Sequence, residues 1–104
     1  MSRDEYTKHP DDVLDYVFDW ADWLSTDADT IVDSDITVTP ATSPALAIDD
    51  PVPHITLPTN VRVWCSSGLD GQRYIVRNRI TTAGGRTKTS SITISVTSKV
   101  QQVM

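Results

Sequence analysis

The sequence predicts an all-β fold: an immunoglobulin-like or fibronectin-type β-sandwich of about seven antiparallel strands. Three observations carry this prediction. Thr, Ser, Val and Ile are abundant, and the β-branched ones fit a pleated, half-buried surface. Apolar and polar residues alternate in short runs. Six prolines and four glycines punctuate those runs, so that strands recur about every ten residues.

Residues 1–12 read as an extended N-terminal arm, turning into the domain at His9-Pro10-Asp11-Asp12. Residues 13–24, VLDYVFDWADWL, fit two patterns. As a helix, Leu14, Val17, Phe18, Ala21 and Leu24 form a stripe. As a strand, Leu14, Tyr16, Phe18 and Trp20 share one face, with Asp15 and Asp19 on the other. The clean alternation of the large residues favours a strand to about Trp20. A short helical turn then sets Trp23 and Leu24 over one end of the core.

Residues 25–30 form a loop, and 31–39 form a strand ended by Pro40. Residues 40–53 are proline-rich and carry one weak apolar patch, Ala45–Ile48, read as a short edge strand. Further strands are predicted at 54–57, 61–66, 73–82 and 86–98. Gly68-Leu69-Asp70-Gly71 and Ala83-Gly84-Gly85 supply the last two turns. The domain spans 13–98, and 99–104 is a C-terminal tail.

The chain has 104 residues and a net charge of −5. That length makes one domain, which buries roughly two-thirds of the surface its unfolded chain exposes. The charge is unevenly spread. Residues 1–50 hold 13 acidic and 2 basic side chains, whereas residues 51–104 hold 1 acidic and 7 basic. Such a split is either neutralised within the fold or used for head-to-tail contact between copies. No basic run with interleaved aromatics points to nucleic acid. No apolar run approaches a membrane span. The charged start, MSRDEYTKHPDD, is unlike a secretory signal, so synthesis in a cytoplasm is expected.

Catalytic chemistry has little to stand on. A nucleophile needs an adjacent base held by a third group. His9 and His54 are the only histidines, and Cys65 the only cysteine. None sits in a recognisable motif. Cys65 follows Val63 and Trp64 and reads as a small buried hydrophobe. Asp27, Asp29, Asp33 and Asp35 invite a calcium reading, but the EF-hand pattern fails, since Ile31 and Val32 fall where an oxygen ligand and a glycine belong. A solvated acidic face is the plainer account, so no metal and no cofactor is assigned. Asp15 and Asp19 either face water or pair with an arginine of the long strand, Arg77 or Arg79. The candidate partner surface is Trp23, Asp27 and Asp29 with Arg77 and Arg79.

Residues 9–24, HPDDVLDYVFDWADWL, carry Pro10, Leu14, Asp15, Tyr16, Asp19, Trp20, Trp23 and Leu24 in a fixed spacing. Asp29-Thr30-Ile31-Val32-Asp33-Ser34 follows. Gly71, Tyr74, Val76, Ile80, Thr81, Thr82, Gly85 and Arg86 complete a second pattern near the C-terminus. In order and spacing these residues resemble the tailed-phage fibre–tail adaptor family. Asp35-Ile36 stands where that family usually has a Trp, and the proline-rich segment 40–60 has no counterpart. The resemblance implies a non-enzymatic virion component of the phage tail or neck. It implies a homo-oligomer, a ring around the tail, that docks fibres or other tail proteins. The other reading is an Ig-like module that decorates a capsid or binds a carbohydrate or host surface.

Overall fold

The computed structural model describes residues 5–26, 28–49 and 52–98. Eight strands and one short helix form two packed sheets. They are β1 (Glu5–Lys8), β2 (Leu14–Asp19), α1 (Ala21–Ser25), β3 (Ile31–Thr39), β4 (Leu46–Ile48), β5 (Ile55–Thr56), β6 (Asn60–Ser67), β7 (Arg73–Thr82) and β8 (Thr87–Val96). The larger sheet has the order β1-β8-β7-β3. The smaller has β2-β6-β4, with β5 also on β6. The two sheets make a mostly antiparallel β-sandwich.

Alternation decides which residues face the core. On β7, Tyr74, Val76, Asn78, Ile80 and Thr82 are buried, while Arg73, Ile75, Arg77 and Arg79 are exposed. On β6, Val61, Val63 and Cys65 face Tyr16 and Phe18 of β2. Ile92, Ile94 and Val96 of β8 complete the layer between the sheets. β3 slips register between Ile31 and Asp33, and Val32 bulges outward, 60 % exposed.

Two features differ from the sequence prediction. Glu5–Lys8, expected within an extended N-terminal arm, forms a strand. It lies parallel to β8, with Glu5 opposite Thr93 and Lys8 opposite Val96, so not every pairing is antiparallel. Tyr6, though 39 % exposed, packs its ring at a tilt against Tyr16, centroids 4.9 Å apart, and Lys8 is wholly buried. Lys8 Nζ donates to the carbonyls of Ser67 (2.6 Å) and His9 (3.1 Å). Burial lowers its pKa from the usual lysine range, against the pull of Asp12.

The loops are tied as firmly as the strands. Tyr74 Oη accepts from the Leu69 amide, five residues upstream, at 2.7 Å. Its own hydrogen goes to Thr42 Oγ1 (2.6 Å), because the Thr42 hydroxyl already donates to the Pro44 carbonyl. This tyrosine corner fastens the proline-rich crossing to the β6–β7 turn. At the other end, α1 closes the core with Leu24, which is 1 % exposed. Asp19 Oδ1 accepts from the Ala21 amide at its start. Among the described residues no helix is long and apolar enough to cross a membrane.

Candidate functional site

The candidate residues fall into two groups on different sides of the larger sheet. The first gathers beneath α1. Trp20 and Trp23 meet edge to face, centroids 5.7 Å apart. The Trp20 indole N–H donates to Asn78 Oδ1 at 2.9 Å inside the core, and Asn78 Nδ2 donates to the Asp35 carbonyl. The Arg86 guanidinium lies 4.3 Å from the Trp23 ring centre and the Lys88 ammonium 5.6 Å. Each cation over an indole face is worth about 0.5–2 kcal/mol.

Asp29 is the hub of this group. Its Oδ1 accepts from the amides of Thr30 and Gly84, both at 2.9 Å. Its Oδ2 accepts from Arg86 Nε and Nη2, at 3.3 and 3.1 Å. The Thr82 hydroxyl, the Thr30 and Gly84 amides and Arg86 together lower the Asp29 pKa to about 2. The 83–85 turn is built for this. Gly85 has a φ of +88°, and a Cβ on Gly84 would lie 2.8 Å from Asp29 Oδ2. The motif residues Trp20, Trp23, Leu24, Asp29, Thr82, Gly85 and Arg86 therefore meet in one latch. The latch joins α1, the loop before β3 and the β7–β8 hairpin.

Sequence reasoning placed Trp23 and Asp29 on a partner surface. In the structure the Asp29 side chain is 7 % exposed and its oxygens are bonded within the chain, and two cations cover Trp23. Asp27 lies outside the described residues. Asp33 Oδ1 accepts from the Ser34 amide. Among the described residues no three His, Cys, Asp or Glu side chains are placed to hold a metal.

Arg77 and Arg79 form the second group and point outward, away from the latch. They stand on β7 beside Arg73 and Ile75. β8 meets this row with Ser95, Thr93, Ser91 and Thr89, a flat strip of hydroxyls. On the other side lie Asp35, opposite Arg79, and Thr37, opposite Arg77. Arg77 Nη1 donates to Thr39 Oγ1. An open cleft of about 320 Å³ runs between Asp35, Thr37, Arg77, Arg79 and Thr89. No carboxylate of the described residues bridges Arg73, Arg77 or Arg79.

The expected ion pair of Asp15 or Asp19 with Arg77 or Arg79 does not form, because β2 belongs to the other sheet. Asp15 instead bridges Arg62 of β6, the diagonal neighbour across the β2–β6 ladder. His54 Nδ1 pairs with Asp49 at 2.9 Å, and His9 is absorbed in the turn around Pro10, its amide bonded to Asp12. Cys65 is buried, and burial pushes its thiol up to about 12, far from a reactive thiolate. Tyr16 is likewise pushed up to about 12 by burial, its hydroxyl without a hydrogen-bond partner.

Lys8, Arg62 and Asn78 were not singled out from sequence, and Gly84 only as part of a turn. Asn78 carried a signal, since it is the one amide among inward positions of β7.

The fold and these residues define a small β-sandwich in which the motif residues Trp20, Trp23, Asp29 and Arg86 contact one another, with Arg73, Arg77 and Arg79 on the outward face of the larger sheet. Residues 8–95 match the family model Gp77, described as podophage GP4 fiber-tail adaptor protein gp77. The chain belongs to that family of phage structural proteins. No curated protein matches it.

Proposed function

We propose that this chain works in a podophage virion as a non-enzymatic tail or neck adaptor, with copies assembling around the tail and docking fibres or other tail proteins. The family match over residues 8–95 carries this reading. The charge distribution supports it. Arg73, Arg77 and Arg79 look outward from the larger sheet, and no carboxylate of the described residues bridges them. Asp11, in the turn between β1 and β2, is 92 % exposed at its side chain. Faces of opposite sign on one subunit suit a heterologous contact that closes a ring. A sugar platform at Trp23 fits less well, because Arg86 and Lys88 occupy its ring.

The test is the mass of the purified chain alone and mixed with each tail protein of the same phage, for wild type and for Arg77→Glu/Arg79→Glu. Wild type is expected to enter a discrete complex, and the folded double variant to stay out. A chain that ignores every tail component overturns the adaptor reading. A double variant that binds like wild type overturns the assignment of the arginine face.

A further inference from the structure

β2 is the outer strand of the smaller sheet, and among the described residues nothing pairs with its free side. The residues preceding β2 go to the other sheet, where β1 pairs β8. One strand position is left open.

The pairing fixes which groups face the opening. The Trp20 amide donates to the Thr59 carbonyl, continuing the register in which Phe18 meets Val61 and Tyr16 meets Val63. In an antiparallel ladder, bonded and non-bonded pairs alternate. The N–H and C=O of Leu14, Tyr16 and Phe18 therefore turn toward β6, and those of Asp15, Val17 and Asp19 turn outward, an unused row of donors and acceptors.

The side chains say what would fit. Val13, Leu14 and Val17 are 48 %, 38 % and 43 % exposed along this edge, with Tyr6 39 % exposed beside Tyr16. Asp11 and Asp12 stand before it, Asp15 and Asp19 on it and Asp22 after it; among the described residues the one Lys or Arg bonded to them is Arg62. Carboxylates in such a row repel a second β2. The other outer strands of the larger sheet carry Glu5 on β1 and Asp33 and Asp35 on β3, so they make no better partner.

We infer that the free edge of β2 accepts an extended, lysine- or arginine-bearing segment of another tail protein, which adds to the smaller sheet as a further strand. The inference rests on the adaptor reading for its partner, and on the edge itself for its chemistry.

Hydrogen exchange of the full chain tests it, with a six-residue peptide alternating Lys and Val, as long as β2, and its Glu–Val counterpart as probes. The Lys–Val peptide is expected to slow exchange at the Asp15, Val17 and Asp19 amides by about tenfold or more, and the Glu–Val peptide to do nothing. Val17→Pro removes one outward N–H and leaves the bonds to β6, so it should fold and lose the protection. Val17→Lys, a milder change, should weaken the Lys–Val peptide and favour the Glu–Val one. Protection elsewhere or none, or unchanged binding by both variants, overturns the inference. With tail proteins, a Val17→Pro chain that binds like wild type overturns the edge and spares the adaptor reading. A wild-type chain that ignores every tail protein but takes the peptide overturns the adaptor reading and spares the edge.

Discussion

The Trp20 indole donates across the core to Asn78 Oδ1 at 2.9 Å, joining the end of β2 to the middle of β7. It is a buried polar contact between the two sheets. Asn78 in turn holds the Asp35 carbonyl at 3.2 Å. Asn78→Ala leaves a buried indole N–H unpaired, at a cost of about 2–3 kcal/mol with the lost packing. In thermal unfolding the midpoint should fall by roughly 10 °C or more. A double-mutant cycle with Trp20→Phe should show the two changes to be less than additive. Additive losses would mean the bond contributes nothing of its own.

Asp29 links stability to acid. Its pKa falls to about 2 in the fold, from 3.8, so the unfolded chain binds its proton first. Its contribution is present above about pH 4 and is lost as pH falls toward 2. Asp29→Asn should lower the urea midpoint at pH 7 and flatten its decline between pH 4 and 2. Gly84→Ala should act on the same contact, since the new Cβ meets Asp29 Oδ2, and should shift Trp fluorescence as the latch loosens.

Cys65 and Tyr16 set the alkaline limit. Both are held protonated to about pH 12, whereas the unfolded thiol and phenol ionise near 9.0 and 10.0. Their contributions are complete below pH 9 and are lost as pH rises toward 12. The urea midpoint should drop between about pH 9 and 12, and Cys65→Val should make the drop shallower. A disulfide-exchange reagent should label Cys65 only as fast as the domain opens; rapid labelling of the folded chain would contradict its burial.

Surface arginines should behave in the opposite way. Arg77→Glu/Arg79→Glu removes no buried contact, so denaturant stability should stay within about 0.5 kcal/mol of wild type. Any loss should appear in association with tail proteins. A large loss of stability would mean that the arginine row braces the sheet.

Strand limits were legible where alternation was strong, as at 73–82, because inward apolar residues recur at every second position. β1 was not legible. Four residues containing Glu5 and Lys8 read as solvent-facing, and Lys8 is buried with its ammonium bonded to the carbonyls of His9 and the distant Ser67. The Asp15 partner depended on the β2–β6 register, which sequence does not state. The motif residues were visible as a set, but not their mutual contacts. Trp23 and Asp29 look like display residues until Arg86 is folded over one and onto the other.

The parallel pairing of β1 with β8 bears on mechanical load. β1 lies along the last four residues of β8, with Glu5 opposite Thr93 and Lys8 opposite Val96. Tension applied at Glu5 and Val96 in opposite directions runs along both strands. The rungs are then sheared together rather than opened one after another, and the buried Lys8 must leave its carbonyls in the same event. A subunit pulled this way resists as a clamp.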